Sequence, residues 1–194
     1  MKFSWNTRIN ISEQNIVYQH NTSRSIPRIT IGMPTYKREK WIRRALASIA
    51  SQSYRNFALI ISDNAGLNLQ TLSAVDDFSD SLPEVTIVAQ PQNIGAIENL
   101  KFLLAIAQTE YFMWLADDDE ISADYLHELI NILDNDSSVV TAMGSWIAMV
   151  DPYSGQKQKQ LRPIERSRFV RLFKFVAGPS DDCAFYGLHR TEFL

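Results

Sequence analysis

The chain has 194 residues, a net charge of −3, 45% hydrophobic and 21% charged residues, an ordinary globular composition with ample length for a buried core. The slight acid excess argues against general nucleic-acid binding, and no apolar run is long enough to span a bilayer. The N-terminus lacks the apolar core of a secretory signal, and the single cysteine, Cys183, rules out an internal disulfide; both fit a cytoplasmic setting.

Residues 1–27 are rich in Ser, Asn, Gln and Arg without a sustained period, and read as an N-terminal extension ending at Pro27, with a short strand near Ile16–Tyr18. From Arg28 the pattern sharpens. Arg28–Met33 is a β-branched run closed by Pro34, a strand followed by a turn. A helix follows with Ile42, Ala45, Leu46 and Ile49 on one face, and Arg43, Arg44 and Ser48 on its other, solvated side. Phe57–Ser62 is a second buried strand ending in the turn sequence Asp63-Asn64-Ala65-Gly66. A weaker helix runs through Leu72, Val75 and Phe78.

Val85–Ala89 is a third strand. It is closed by Gln90–Gly95 and followed by a helix whose expected core face is Ile97, Leu100, Leu104 and Ala107. Tyr111–Leu115 is an unbroken apolar run, suited to a strand covered on both faces, and Asp117–Glu120 follow at once as four consecutive carboxylates. Mutual repulsion gives folding little reason to gather them; a hard divalent cation does, since Mg²⁺ and Mn²⁺ take carboxylate oxygens and share them with phosphates. The alternative is a solvated acidic start to the next helix. That helix is capped in this reading by Ser122 and buries Leu126, Leu129, Ile130 and Leu133.

Four strand–helix units in about a hundred residues predict an α/β fold with a doubly wound, mostly parallel sheet and helices on both faces. In such a sheet the strand ends carrying Pro34–Arg38, Asp63-Asn64 and Asp117–Glu120 open on one edge, where hydroxyl, amide and carboxylate groups suit a nucleoside beside a metal-bound diphosphate. No Walker or G-x-G-x-x-G loop, zinc-type Cys/His cluster or G-x-S-x-G elbow is present. Beyond Asn135, Val139–Val150 reads as one long apolar strand. Residues 156–176 form a basic segment with a helical stripe at Phe169, Leu172, Phe173 and Val176, suited to an exposed helix, an acceptor-site flank or peripheral contact with an anionic membrane.

Four blocks carry a family resemblance: Ile31–Arg38, Ile60–Asn64, Gln92–Gly95 and Trp114–Asp119. In this order they resemble family 2 glycosyltransferases of the GT-A fold, over roughly Arg28 to Leu133. The resemblance implies a nucleotide-sugar-binding half at 28–135 and an acceptor-side half at 136–194, expected to be incomplete. It implies a nucleobase pocket lined by Pro34, Thr35 and Tyr36, with Arg38 near the base or the phosphates, and Asp63 reading the base with Asn64 beside it. Asn93, Gly95 and Asn99 would lie along the ribose and sugar.

Asp117, Asp118 and Asp119 would form the D-x-D motif that holds Mn²⁺ or Mg²⁺. Anchored on the following helix, the motif runs from Ala116 to Asp118; read as three aspartates, it makes Asp119 the ligand. The reaction implied is inverting transfer from a UDP- or dTDP-linked sugar to a carbohydrate or lipid-linked hydroxyl. Phe185–Arg190 resembles the acceptor-side segment, and the general base is expected beyond Leu194 or, failing that, at Asp181 or Asp182. The rival expectations are a binding fragment without turnover and a phosphoacceptor receiver domain.

Overall fold

A computed structural model describes residues 16–21, 26–148, 157–159 and 185–194. Asp181, Asp182, Cys183 and the apolar stripe of the basic segment lie outside the described residues. Four parallel strands form the frame: β2 (Ile29–Thr35), β3 (Phe57–Asn64), β4 (Val85–Gln90) and β5 (Tyr111–Trp114). β1 (Ile16–His20) adds an antiparallel outer strand to β4, so part of the N-terminal extension belongs to the main sheet. At the other edge β9 (Leu188–Arg190) runs antiparallel between β5 and β6 (Thr141–Ala142), giving the order β1-β4-β3-β2-β5-β9-β6.

Two of the four helix faces follow the sequence pattern closely. α1 (Glu39–Ala50) buries Ile42, Ala45, Leu46 and Ile49, and α4 (Tyr125–Asn135) buries Leu126, Leu129, Ile130 and Leu133. With α2 (Leu69–Asp76) they cover one face of the sheet, against Ile29, Ile31, Met33, Leu59, Ile61 and Met113. α3 (Ala96–Ile106) covers the other, where Leu103 and Leu104 meet Phe112 and Trp114. Gly32 makes that approach possible: a Cβ there would lie 2.8 Å from Phe112 Cζ and 3.2 Å from Leu103 Cβ.

Three expectations are corrected. The core face of α3 is Asn99, Leu103, Leu104 and Ile106, while Ile97 is 68% exposed, because a buried amide rather than an apolar side chain occupies the first turn's inward position. Ser122 does not cap α4; Asp124 precedes the helix without a side-chain cap bond, and the Leu126 N–H donates instead to Gln52 Oε1 at 3.1 Å. The run from Val139 is not one strand. β6 ends at Ala142, and β7 (Trp146–Ala148) pairs with β8 (Lys157–Lys159) in a separate ribbon. Gly144 lies in the break: a Cβ on it would stand 2.7 Å from the Tyr125 ring, and its N–H points to the Tyr125 hydroxyl at 3.4 Å.

Candidate functional site

The strand order reverses between β2 and β5: β3 and β4 extend the sheet one way, β5 the other. Open α/β sheets bind ligands at the carboxyl edge of such a switch point. Here the two strands separate there. Their register ends at Gly32 and Trp114, with a last bond from Leu115 N–H to the Gly32 carbonyl, whereas β2 stays paired with β3 as far as Thr35 and Asp63. Alternate residues of a strand turn their backbone groups to the same side, so Pro34, which has no N–H, falls where β2 has lost its β5 neighbour. A proline is therefore tolerated in a central strand, at the mouth of the gap.

Thr35 and Asp117 span that gap. The Thr35 Oγ1–H donates to Asp117 Oδ2 at 2.7 Å, and both residues are buried. Burial pushes the Asp117 carboxyl above the ordinary carboxylate range, while the Thr35 hydroxyl and the Arg38 guanidinium oppose that rise. Arg38 pairs with Asp118 and stands 3.6 Å from Asp117 Oδ1. The Asp119 carboxyl is also raised, by desolvation first and by the like charge of Asp118 second. Glu120 points away to an ion pair with Arg44, so it leaves the cluster. Arg43 pairs with Asp77; these two arginines cross-link surface elements rather than standing in solvent alone.

The neighbouring strand ends build a second wall. Asp63 is buried and its Oδ2 accepts the Asn68 N–H at 2.7 Å, fastening a turn in which Ala65 and Gly66 take φ of 129° and 92°. Asn64 donates to Asn93 Oδ1 at 3.0 Å and accepts from the Ile94 N–H at 2.9 Å, tying the end of β3 to the loop after β4. Gly95, at φ 87°, precedes α3 and donates its N–H to Asn93 Oδ1 at 2.8 Å. Tyr36 stands 40% exposed, and its phenol is held below its usual range by a hydrogen bond with Asn93 and by the Lys37 ammonium. The structure thus draws Pro34, Thr35, Tyr36, Arg38, Asp63, Asn64, Asn93, Gly95 and Asp117–Asp119 to one edge.

Asn99 does not join them. It is 1% exposed, accepts from Ser62 Oγ at 2.6 Å and donates to the Ser62 carbonyl at 3.1 Å, so its amide is used inside the fold instead of along a sugar. Gln90 completes that buried triad, donating to Ser62 Oγ at 3.1 Å. Gln90 and Gln52, which lies just past the end of α1, were not singled out by motif, and Ser48, expected on the solvated side of α1, is instead buried, its hydroxyl bonded to the Ala45 carbonyl. The available signal was position: Gln52 continues the apolar stripe of α1, and a polar residue in a core slot has partners.

Could the acids hold a divalent cation? Among the described residues no three His, Cys, Asp or Glu side chains form a closed cage. The donor set suits Mg²⁺ or Mn²⁺ of the substrate-sharing kind, which needs one or two carboxylates and takes its other oxygens from phosphates and water. Asp119, whose carboxylate has no hydrogen-bond or ion-pair partner among the described residues, and Asp117 offer that pair, with Asp118 held by Arg38 between them.

Comparison with known proteins bears on this edge. Residues 30–188 match the family model described as Glycosyl transferase family 2. A curated relative, "Putative colanic acid biosynthesis glycosyl transferase WcaA" of Escherichia coli (strain K12), is 34% identical over 95 residues, 48% of this chain and 33% of its own. The chain spans less than half the length of the first curated relatives it matches. Among solved structures, residues 1–349 of S. aureus TarS in complex with UDP-GlcNAc align with a TM-score of 0.61 at 20% identity, over 86% of this chain and 46% of that one. The mannosyltransferase PcManGT from Pyrobaculum calidifontis, in complex with GDP-Man and Mn2+, aligns at 0.52 and 26% identity over 66% of this chain and 37% of its own. The fold is therefore of the GT-A type expected from the four sequence blocks. With the family model covering all four strand ends of the switch-point edge, the chain belongs to glycosyltransferase family 2.

Proposed function

We propose that this chain binds a UDP- or dTDP-linked sugar at the β2–β5 gap and transfers the sugar, with inversion, to a hydroxyl of a carbohydrate or lipid-linked acceptor. The observation that carries the reading is the buried Thr35–Asp117 bond across the switch point, with Asp63 paired in register beside Thr35 and Asp119 just beyond. The Asp63–Asn64–Tyr36 wall offers an acceptor, an amide and an aromatic face to a base. The acidic turn and Arg38 offer opposite charges to a cation and a diphosphate. A bound Mn²⁺ or Mg²⁺ would supply neutralisation of the charge that grows on the departing diphosphate. The acceptor oxygen attacks the anomeric carbon and gives its proton to a general base, while the bond from that carbon to the diphosphate breaks and the nucleoside diphosphate leaves.

UDP-GlcNAc in the TarS complex and GDP-Man with Mn2+ in the PcManGT complex support a nucleotide-sugar donor and a divalent ion, and the likeness to the colanic acid biosynthesis relative WcaA supports polysaccharide synthesis. A cytoplasmic site of action, with residues 156–176 touching an anionic membrane, is part of the same proposal. The test is release of free UDP or dTDP from a panel of nucleotide sugars by the full chain with Mn²⁺, alongside uridine binding by Asp63→Ala. Expected are saturable donor turnover and a loss of about 1–3 kcal/mol in uridine affinity without metal, the value of a hydrogen bond to a charged group. Absence of both nucleotide binding and donor turnover would contradict the proposal. Binding without any turnover would favour a donor-binding fragment.

A further inference from the structure

We propose that Gln52, assisted by Ser48, is a positioning residue for the acidic turn, holding its carboxylates at the β2–β5 gap without touching the ligand. This rests on the nucleotide-sugar reading above. After Leu115 the chain leaves the sheet, and until α4 begins its own backbone bonds among the described residues are tight-turn bonds, from Asp119 N–H to the Ala116 carbonyl at 3.2 Å and from Tyr125 N–H to the Ser122 carbonyl at 3.0 Å. Past Asp119, its anchoring to the donor half among the described residues comes from α1 and the turn that closes it. Ser48 Oγ accepts the Ile121 N–H at 3.2 Å, and Ser53 N–H donates to the Ala123 carbonyl at 2.8 Å. Gln52 Nε2 donates to the Ser122 carbonyl at 2.7 Å while its Oε1 accepts the Leu126 N–H at 3.1 Å.

Gln52 is only 2% exposed, and a further bond from Nε2 to the Ser48 carbonyl at 3.0 Å fixes its rotamer. Both ends of one desolvated amide therefore clamp both ends of the 122–126 segment. Ser48, in the last turn of α1 four residues before Gln52, grips Ile121, the residue just before that segment. A ligand turn held this way keeps its carboxylates within the few tenths of an ångström that metal and phosphate geometry require. Loss of the clamp leaves the turn attached through Thr35–Asp117, the single backbone bond from Ser53 N–H to the Ala123 carbonyl, and side-chain ion pairs at the surface.

Titration calorimetry on the 194-residue chain tests this, with UDP plus Mn²⁺ and, separately, uridine without metal. Gln52→Met removes the amide at similar volume; Ser48→Ala removes the hydroxyl and Ser48→Thr keeps one. The expected result is a fall of about 10- to 100-fold in Mn²⁺-dependent UDP affinity for Gln52→Met, the range for lost supporting partners of a ligand set. A smaller fall is expected for Ser48→Ala, with recovery in Ser48→Thr and unchanged uridine affinity throughout. In an Asp119→Ala background the Gln52→Met effect should vanish, which a general loss of stability would not produce. Wild-type binding matched by Gln52→Met, or equal losses for uridine and Mn²⁺–UDP, would overturn the inference alone. A wild type that binds no nucleotide would overturn both it and the reading it rests on. If Gln52→Met loses its native circular dichroism, the same outcomes are read from Ser48→Ala.

Discussion

Gly32→Ala should destabilise the protein through a single methyl group. Gly32 lies in the middle of β2, the central strand, beneath the ring of Phe112 and the C-terminal half of α3 at Leu103. The added Cβ would stand 2.8 Å from Phe112 Cζ, about 0.7 Å inside the ~3.5 Å at which carbon atoms begin to attract. A ring tip can yield when it has room; this one has little. Phe112 is fully buried and meets Trp114 edge-on at 4.7 Å, and Trp114 is itself stacked on Phe185 at 4.5 Å. Leu103 Cβ, 3.2 Å away, is close to the α3 backbone, so relief on that side means moving the helix.

Overpacking of this kind costs about 1–3 kcal/mol, and at this chain length each kcal/mol lowers the melting temperature by roughly 2–4 °C, so a fall of about 2–12 °C is expected. Thermal and urea unfolding measure it. The specific signature is coupling: Phe112→Leu removes the clash, so the double variant should be more stable than the sum of the singles by more than ~0.5 kcal/mol. A Gly32→Ala protein that melts within about 1 °C of wild type, or strict additivity with Phe112→Leu, would refute the close-packing argument.

Two further expectations concern the opposite edge of the sheet. Arg28 reaches both Asp134 oxygens at 2.8 and 2.9 Å, and the pair, with Tyr111, holds the Asp134 carboxyl below its ordinary range. A depressed carboxylate stabilises above the unfolded value near pH 4 and loses that contribution as pH falls through the folded one. Asp134→Asn should therefore cost about 0.5–1 kcal/mol at pH 7, discounted for partial exposure, and less near pH 2. Equal losses at both pH values would contradict it. Tyr111, buried and bonded to Asp134, has its phenol pushed up to about 12, by burial before the hydrogen bond. The folded state holds that proton more tightly than the unfolded chain, so stability should be intact below pH ~10 and decline as pH rises toward ~12. Urea unfolding across that range should show a shallower decline in Tyr111→Phe; an unchanged slope would remove the assignment.

The sequence made the frame legible because its signals were local and redundant. Ile42–Ile49 and Leu126–Leu133 each repeat at the helical period, and Tyr111–Trp114 is uniformly apolar because both faces are covered. The strand-end residues could be placed together because a parallel α/β sheet brings its carboxyl ends to one edge whatever their sequence separation. What stayed hidden were residues whose partners are remote. Asn99 resembled a sugar contact until its amide was found inside, bonded to Ser62 across 37 positions. Gln52 bonds 70 and 74 positions away, and no periodicity encodes that. The break at Gly144 depends on a tyrosine from the preceding helix, so an apolar run in the sequence became two strands in different sheets.

The account depends most on the acidic turn beyond β5 coupling a cation to a diphosphate. Calorimetric titration of UDP into the wild type and into Asp119→Ala, each with and without Mn²⁺, tests this directly. The account predicts that Mn²⁺ strengthens UDP binding to the wild type by about tenfold or more, as a shared ligand to metal and phosphate must. It also predicts that Asp119→Ala removes this gain while leaving metal-free binding in place. Equal UDP affinity with and without Mn²⁺ in the wild type, or an undiminished Mn²⁺ gain in Asp119→Ala, would contradict it.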